Sequence, residues 1–143
     1  MLKIGISSDH AGFELKELIK KHFSDSIDFH DFGTHSLDSM DYPDVAHPLA
    51  EAVSNGDFDW GIAICGSGNG INMTVNKYAK VRSALCWNSE LATLARQHNN
   101  ANILALPARF ISQELAIEIV KHFKEATFEG GRHENRVNKI ACK

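Results

Sequence analysis

Trp60-Gly61-Ile62-Ala63-Ile64-Cys65-Gly66-Ser67-Gly68-Asn69-Gly70 is the stretch that decides the fold. Its first six residues are almost wholly apolar. The run is too short for a buried helix and stops at glycines, so it reads as a strand covered on both faces. Glycines 66, 68 and 70 then fall where the strand turns into a helix. There they let backbone N–H groups approach an anion, and the following helix N-terminus adds favourable potential. A plain tight turn explains the three glycines equally well. The spacing is GxGxG and not the dinucleotide pattern GxGxxG, and no Gly-Lys-Ser/Thr follows, so neither dinucleotide nor P-loop chemistry is indicated.

The same alternation extends in both directions from this strand. Residues 3–7 and 27–29 read as strands, with a helix over 13–23 whose Phe13, Leu15, Leu18, Ile19 and Phe23 lie close to helical spacing. A polar, turn-rich stretch covers 33–44. A helical pattern over 45–53 is stopped by Asn55-Gly56-Asp57. Beyond the glycines the pattern predicts a helix over 71–78 and a strand over 81–86. A helix capped by Asn88 or Ser89 then runs to Gln97. A last strand at 103–106 precedes a helix over 113–124 capped by Ser112. Five alternations of strand and helix give an α/β fold: a single Rossmann-like three-layer domain, residues 1–143, with a five-stranded parallel sheet flanked by helices. In such sheets ligands bind where strands end and helices begin. The segments there are Ser8 to Gly12, Cys65 to Gly70, Trp87-Asn88 and Pro107 to Arg109.

Composition removes several classes of function. The chain has 143 residues, enough for one domain with its own core, and a net charge of −3 with histidines neutral. That balance argues against nucleic acid as a partner, while leaving room for a local cationic pocket. No apolar run reaches membrane-spanning length, and residues 1–6 have no signal-peptide organisation. Cys65, Cys86 and Cys142 are odd in number and far apart, which suits a reducing cytoplasm better than a disulfide framework. The eight histidines form no HExxH or similar helical pair, so they read as scattered surface residues, and no metal is expected.

Chemistry concentrates at four places. Cys65 ends the buried strand facing the ligand crevice; buried cysteines are often simple core residues, but a thiol beside a helix N-terminus takes and returns protons readily. Ser67 adds a hydroxyl two residues on. Cys86 reads as core and Cys142 as an exposed tail residue. Asp9-His10 closes the first strand, either to contact a ligand or with Asp9 simply capping the next helix. His98-Asn99 pairs an imidazole, which titrates near neutrality, with an amide able to stabilise an oxyanion. Arg132 and Arg136, after Gly130-Gly131, share one face if they open a helix, and two guanidinium forks suit a phosphate. Arg109 is a further phosphate candidate.

Taken in order, these residues resemble the type B ribose-5-phosphate isomerases, a family shared with the galactose-6-phosphate isomerase subunits. The resemblance rests on Ser8-Asp9-His10-Ala11-Gly12-Phe13, Asp41-Tyr42-Pro43, Ile64 to Gly70, Asn76-Lys77, Arg96-Gln97-His98-Asn99, Arg109 and Glu129-Gly130-Gly131-Arg132-His133. It covers nearly the whole chain. It implies an aldose–ketose isomerase that works through a cis-enediolate without metal or organic cofactor. His98 would open the furanose ring, Cys65 would be the base, and Ser67 would move a proton between O1 and O2. Asn99 and the backbone from Gly66 through Ser67, Gly68 and Asn69 to Gly70 would stabilise the enediolate. Asp9 and His10 would contact the sugar, and Arg109, Arg132 and Arg136 its phosphate. It also implies a homodimer or dimer of dimers with shared sites. Ser67 stands where many relatives carry Thr; some relatives lack the cysteine and use a glutamate.

The expected site is therefore a thiol, a hydroxyl and an amide cradle, completed by His98 and Asn99 from another strand end. A six-carbon sugar phosphate, allose or galactose 6-phosphate, is the alternative substrate. A non-catalytic sugar-phosphate or nucleotide-binding module is the alternative class, but it gives Cys65 and His98 no joint purpose.

Overall fold

The computed structural model describes residues 1–142. Five parallel strands are joined by helices: β1 (Leu2–Ser8), α1 (Phe13–His22), β2 (Ile27–Asp31), α2 (Pro43–Ser54), β3 (Trp60–Cys65), α3 (Asn69–Val75), β4 (Ser83–Leu85), α4 (Ser89–Asn99), β5 (Ile103–Pro107), α5 (Gln113–Glu125) and α6 (Arg132–Val137). The strand order is β2-β1-β3-β5-β4. The expected α/β architecture is therefore observed, and β3 spans the residues its apolar run predicts.

Side-chain alternation along the strands divides the core. Ile4 and Ile6 of β1, Ile62 and Ile64 of β3, and Leu104 and Leu106 of β5 join the inward faces of α1, α4 and α5 in one fully buried cluster. Ala63, Cys65 and Ile103 point the other way, against Ala46, Leu49 and Ala50 of α2 and Ile71 and Val75 of α3. Small residues on that second face let α2 lie close to the sheet. Cys65 thus belongs to the α2–α3 side.

Of the element boundaries that differ from the sequence reading, three have a visible physical cause. Helix α2 begins at Pro43 because proline's fixed φ suits a first helical position, where its missing N–H costs nothing. Helix α3 spans Asn69–Val75 and not 71–78, starting after Gly68 in the left-handed region (φ 77°). It ends because the Asn76 side chain leaves the helix. Its Nδ2 donates to the Ser83 carbonyl (3.1 Å) and its Oδ1 accepts from the Ser83 N–H (2.9 Å). Strand β4 shrinks to three residues, since the Arg82 N–H is taken by the Asn102 side chain at 2.7 Å.

One ion cluster escapes any pattern-based reading. Lys16 projects from the buried face of α1 and is fully buried. Its ammonium pairs with Asp31 at the end of β2 and with Glu17 at 3.3 Å; Lys20 also reaches Asp31 at 2.8 Å. Burial by itself would raise the Asp31 carboxyl, but hydrogen bonds from Lys16, Lys20 and the Gly33 N–H outweigh it and hold the group below its ordinary range. The same carboxylate fixes the next loop, because its Oδ1 accepts from the Gly33 N–H at 2.8 Å. Gly33 and Thr34 then clasp Ser8 through two backbone hydrogen bonds, of 2.8 and 2.7 Å.

Asp31→Asn leaves the buried Lys16 ammonium with only the half-exposed Glu17 as counter-charge and is expected to cost about 3 kcal/mol in urea unfolding, whereas Lys16→Met is expected to cost much less. Because the folded Asp31 is depressed, its contribution is complete above the unfolded carboxyl's titration range and is lost as pH falls through the lower folded value. Unfolding midpoints measured from neutral pH into acid should fall more gently for a Lys16→Met/Asp31→Asn double variant than for wild type; parallel curves would refute this.

Candidate active site

Strand order sets the crevice. The β1–α1–β2 and β3–α3–β4 connections leave the paired strands β1 and β3 in opposite directions, opening a gap above their carboxyl ends. The Asp9 N–H donates to the Ile64 carbonyl at 3.1 Å and so joins the two walls. Asp9, only 7% exposed, accepts the Gly12 N–H at 3.1 Å and caps a 3-10 turn over His10–Gly12. The capping role foreseen for Asp9 is thus real, and its carboxylate still stands at the crevice. His10 Nδ1 accepts the Met40 N–H at 3.2 Å, which leaves Nε2 to carry the ring proton of the neutral imidazole as a donor.

On the opposite wall, Cys65 ends β3 and is 5% exposed. Ser67 is exposed, and its Oγ accepts the Asn69 N–H at 3.2 Å. The N–H groups of Ser67, Gly68 and Gly70 find no acceptor among the described residues and are open to an anion. Two of the glycines are needed for shape. Gly68 takes a positive φ, and a Cβ there would come within 2.4 Å of the Leu85 Cδ1. A Cβ on Gly70 would meet the Tyr42 ring at 2.4 Å, so Tyr42 lies directly over the loop. Tyr42 is a site neighbour that the sequence reading quoted only as part of a motif; its contact is between segments distant in sequence. Arg109 completes this wall. Its N–H donates to the Gly66 carbonyl at 3.0 Å, and its guanidinium lies 3.1 Å from where a Gly66 Cβ would sit. Of the other cysteines, Cys86 is buried, with burial pushing its thiol up to about 12, and Cys142 is exposed.

His98 and Asn99 are not at another strand end, as the sequence reading had it. They close α4, which runs back antiparallel to the strands, so they sit at the edge where strands begin. A five-residue strand separates the two edges by about 17 Å. Helix α4 is capped by Asn88, whose Oδ1 accepts the Leu91 N–H at 2.9 Å. It is terminated by Asn100 in the left-handed region (φ 48°), and Arg82 Nε secures the Asn100 carbonyl at 2.9 Å. Arg132 and Arg136 do open a helix four residues apart; both are exposed, with no carboxylate within 4 Å among the described residues. Helix α6 packs on α4, so these arginines share the end of the molecule that holds His98. Each chain thus groups Asp9, His10, Cys65, Ser67 and Arg109 at one end, and His98, Asn99, Arg132 and Arg136 at the other.

The histidines are less scattered than their spacing suggests. The His98 and His133 rings stack at 4.2 Å with planes 10° apart. Glu129 Oε1 lies 3.8 Å from His98 Nε2 and 3.5 Å from His133 Nε2. One metal ion cannot lie in two nearly parallel ring planes, so this arrangement is not a preformed ligand set. A cavity of about 530 Å³ is lined by Asn76, Tyr78, Arg82, Ser83, Asn99 and Ile140 among others. Of the candidate groups it touches only Asn99; it is not the Cys65 crevice. No described helix is long and apolar enough to cross a membrane.

Comparison with known proteins identifies the family. The family model described as Ribose/Galactose Isomerase matches residues 4–140. The chain is 43% identical over 143 residues to ribose-5-phosphate isomerase B of Escherichia coli K12, covering 99% of this chain and 96% of that protein. It superposes on the crystal structure of a Thermotoga maritima ribose 5-phosphate isomerase with a TM-score of 0.95 and 48% identity, covering 98% of this chain and 97% of that one. The Mycoplasma genitalium ribose-5-phosphate isomerase B, solved with bound ribulose-5-phosphate, gives a TM-score of 0.93 at 45% identity, over 96% of this chain and 93% of that one. With the match running unbroken from the first strand to the final helix, this chain belongs to the ribose/galactose isomerase family.

Proposed function

We propose that this chain interconverts ribose 5-phosphate and ribulose 5-phosphate. The observation that carries the proposal is the placing of an almost buried thiol, Cys65, beside unpaired backbone N–H groups at the switch point of the sheet. Aldose–ketose isomerisation moves one proton between adjacent carbons through an enediolate. It needs one base that reaches both carbons and donors for the developing oxyanion.

The Cys65 thiolate takes the C2 proton of the open-chain aldose. The electron pair forms the C1–C2 double bond and negative charge builds on O1, facing the amide cradle of the glycine loop and Asn99. Ser67 passes a proton between O2 and O1, and Cys65 returns its proton to C1. A positioned acid–base group contributes about 10²–10⁴-fold and one oxyanion donor about 10²–10³-fold. Asp9 and His10 hold the sugar, and Arg109, Arg132 and Arg136 anchor the phosphate, whose binding energy orients the reacting end. The relatives named above are ribose 5-phosphate isomerases, which favours the five-carbon reading over allose or galactose 6-phosphate. The three unpaired cysteines suit a reducing cytoplasm.

Because Cys65 and His98 lie at opposite edges of one sheet, we infer that a working site needs two copies, one giving Cys65 and Ser67, the other His98 and Asn99. A homodimer, or a dimer of dimers, satisfies this with two equivalent sites.

Cys65→Ala is expected to lower kcat for ribose 5-phosphate by about 10²–10⁴-fold with the fold intact. Turnover near the wild-type level in a coupled assay would remove Cys65 as the base. A second test uses mixed subunits. Cys65→Ala and His98→Ala proteins, each inactive alone, should regain up to about a quarter of wild-type activity when unfolded together and refolded, since half the dimers then carry one intact site. No recovery, with mixed dimers verified by mass spectrometry, would mean that each chain builds its site alone.

A further inference from the structure

The His98–Glu129–His133 cluster is not explained by the roles assigned so far, and it rests on three independent contacts. The Glu129 N–H donates to the Gln97 carbonyl at 3.0 Å, which ties the segment before α6 to the last turn of α4. His133, on the first turn of α6, lays its ring flat on that of His98. The Glu129 carboxylate stands within 4 Å of Nε2 on both rings, beyond hydrogen-bond length but close enough to act as a counter-charge. The stack covers His133 more than His98, whose side chains are 13% and 39% exposed. His98 therefore keeps an open edge.

Resting on the isomerase reading above, we propose that His133 and Glu129 are positioning residues for ring opening: His133 fixes the plane of the His98 imidazole, and Glu129 sets the charge that the stacked pair carries. Opening a furanose breaks the C1–O4 bond, gives a proton to O4 and takes one from the O1 hydroxyl, so that C1=O1 forms with no net gain of protons. One imidazole can give the first proton and accept the second only if its nitrogen edge is aimed and its charge can alternate. Face-to-face stacking supplies the aim. A second ring at 4.2 Å makes protonation of one oppose protonation of the other. The charged groups facing the pair are Glu129, Arg132 and Arg136. Burial, then His98 and Arg132, draw the His133 imidazole below its ordinary range, while Glu129 pulls the other way.

Two assays separate ring opening from enediolate chemistry. Ribulose 5-phosphate has no ring to open, so solvent deuterium entering its C1 reports only proton transfer by the base. His133→Leu is expected to slow consumption of ribose 5-phosphate by about tenfold to a hundredfold. Its deuterium exchange at C1 should stay within about twofold of wild type. His133→Phe, which retains a flat ring, should recover part of the lost rate. Glu129→Gln, a milder change in an exposed segment, should move the NMR titration midpoint of the histidine pair to lower pH, because the imidazolium loses its counter-charge. Equal losses in both assays, no loss in either, or an unmoved midpoint would overturn the proposal. Wild-type protein that neither consumes ribose 5-phosphate nor exchanges deuterium would instead overturn the isomerase reading, and this inference with it.

Discussion

An all-parallel sheet must send every connection back across its face, and this constraint organises the rest of the molecule. Strand ends and helix starts gather at one edge, strand starts and helix ends at the other. Residues adjacent in a reaction scheme can therefore be held apart by the length of a strand. Here the thiol, the glycine loop and the Asp9–His10 turn fall on one edge, and the imidazole and the α6 arginines on the other. Within a single chain, the candidate groups around Cys65 and those around His98 therefore stand at different ends. In the two-copy arrangement proposed above, association would turn this separation into a closed site without a further domain.

Much of this was legible in the sequence because it is local. The β3 run and the glycines after it fix a strand, a turn and a thiol within eleven consecutive residues. The chain order of strands and helices fixes the sheet type. The Asn88 and Ser112 caps could be read from residue type, and both side chains accept the expected N–H. Element ends decided by distant partners were not legible. Asn76 ends α3 because Ser83 is waiting, and β4 is short because Asn102 has taken an N–H. Lys16 misleads in the same way: it stands beside Glu17 as a surface lysine would, and its burial becomes tolerable only with Asp31, fifteen residues on, added to Glu17.

The candidate site shows the same divide. Each candidate residue was recognisable by type and motif, yet the edge occupied by His98 depends on helix direction, which spacing does not display. The stacking of His98 on His133 joins residues thirty-five positions apart through a loop with little pattern of its own. The connection from Lys16–Asp31 through Gly33 and Thr34 to Ser8 has a similar character. A core charge pair holds the loop that braces the end of β1, so stability and site geometry share one carboxylate.

The Asn76 clamp has a consequence for behaviour at high concentration. Ser83 lies on the outermost strand, and its outward N–H and C=O are the groups onto which another chain's strand would zip. A side-chain amide presents the same donor and acceptor as a peptide group, so Asn76 occupies both positions like a single residue of a sixth strand. At this edge the sheet ends in a plug made from its own chain, which denies open-ended strand-to-strand polymerisation a template.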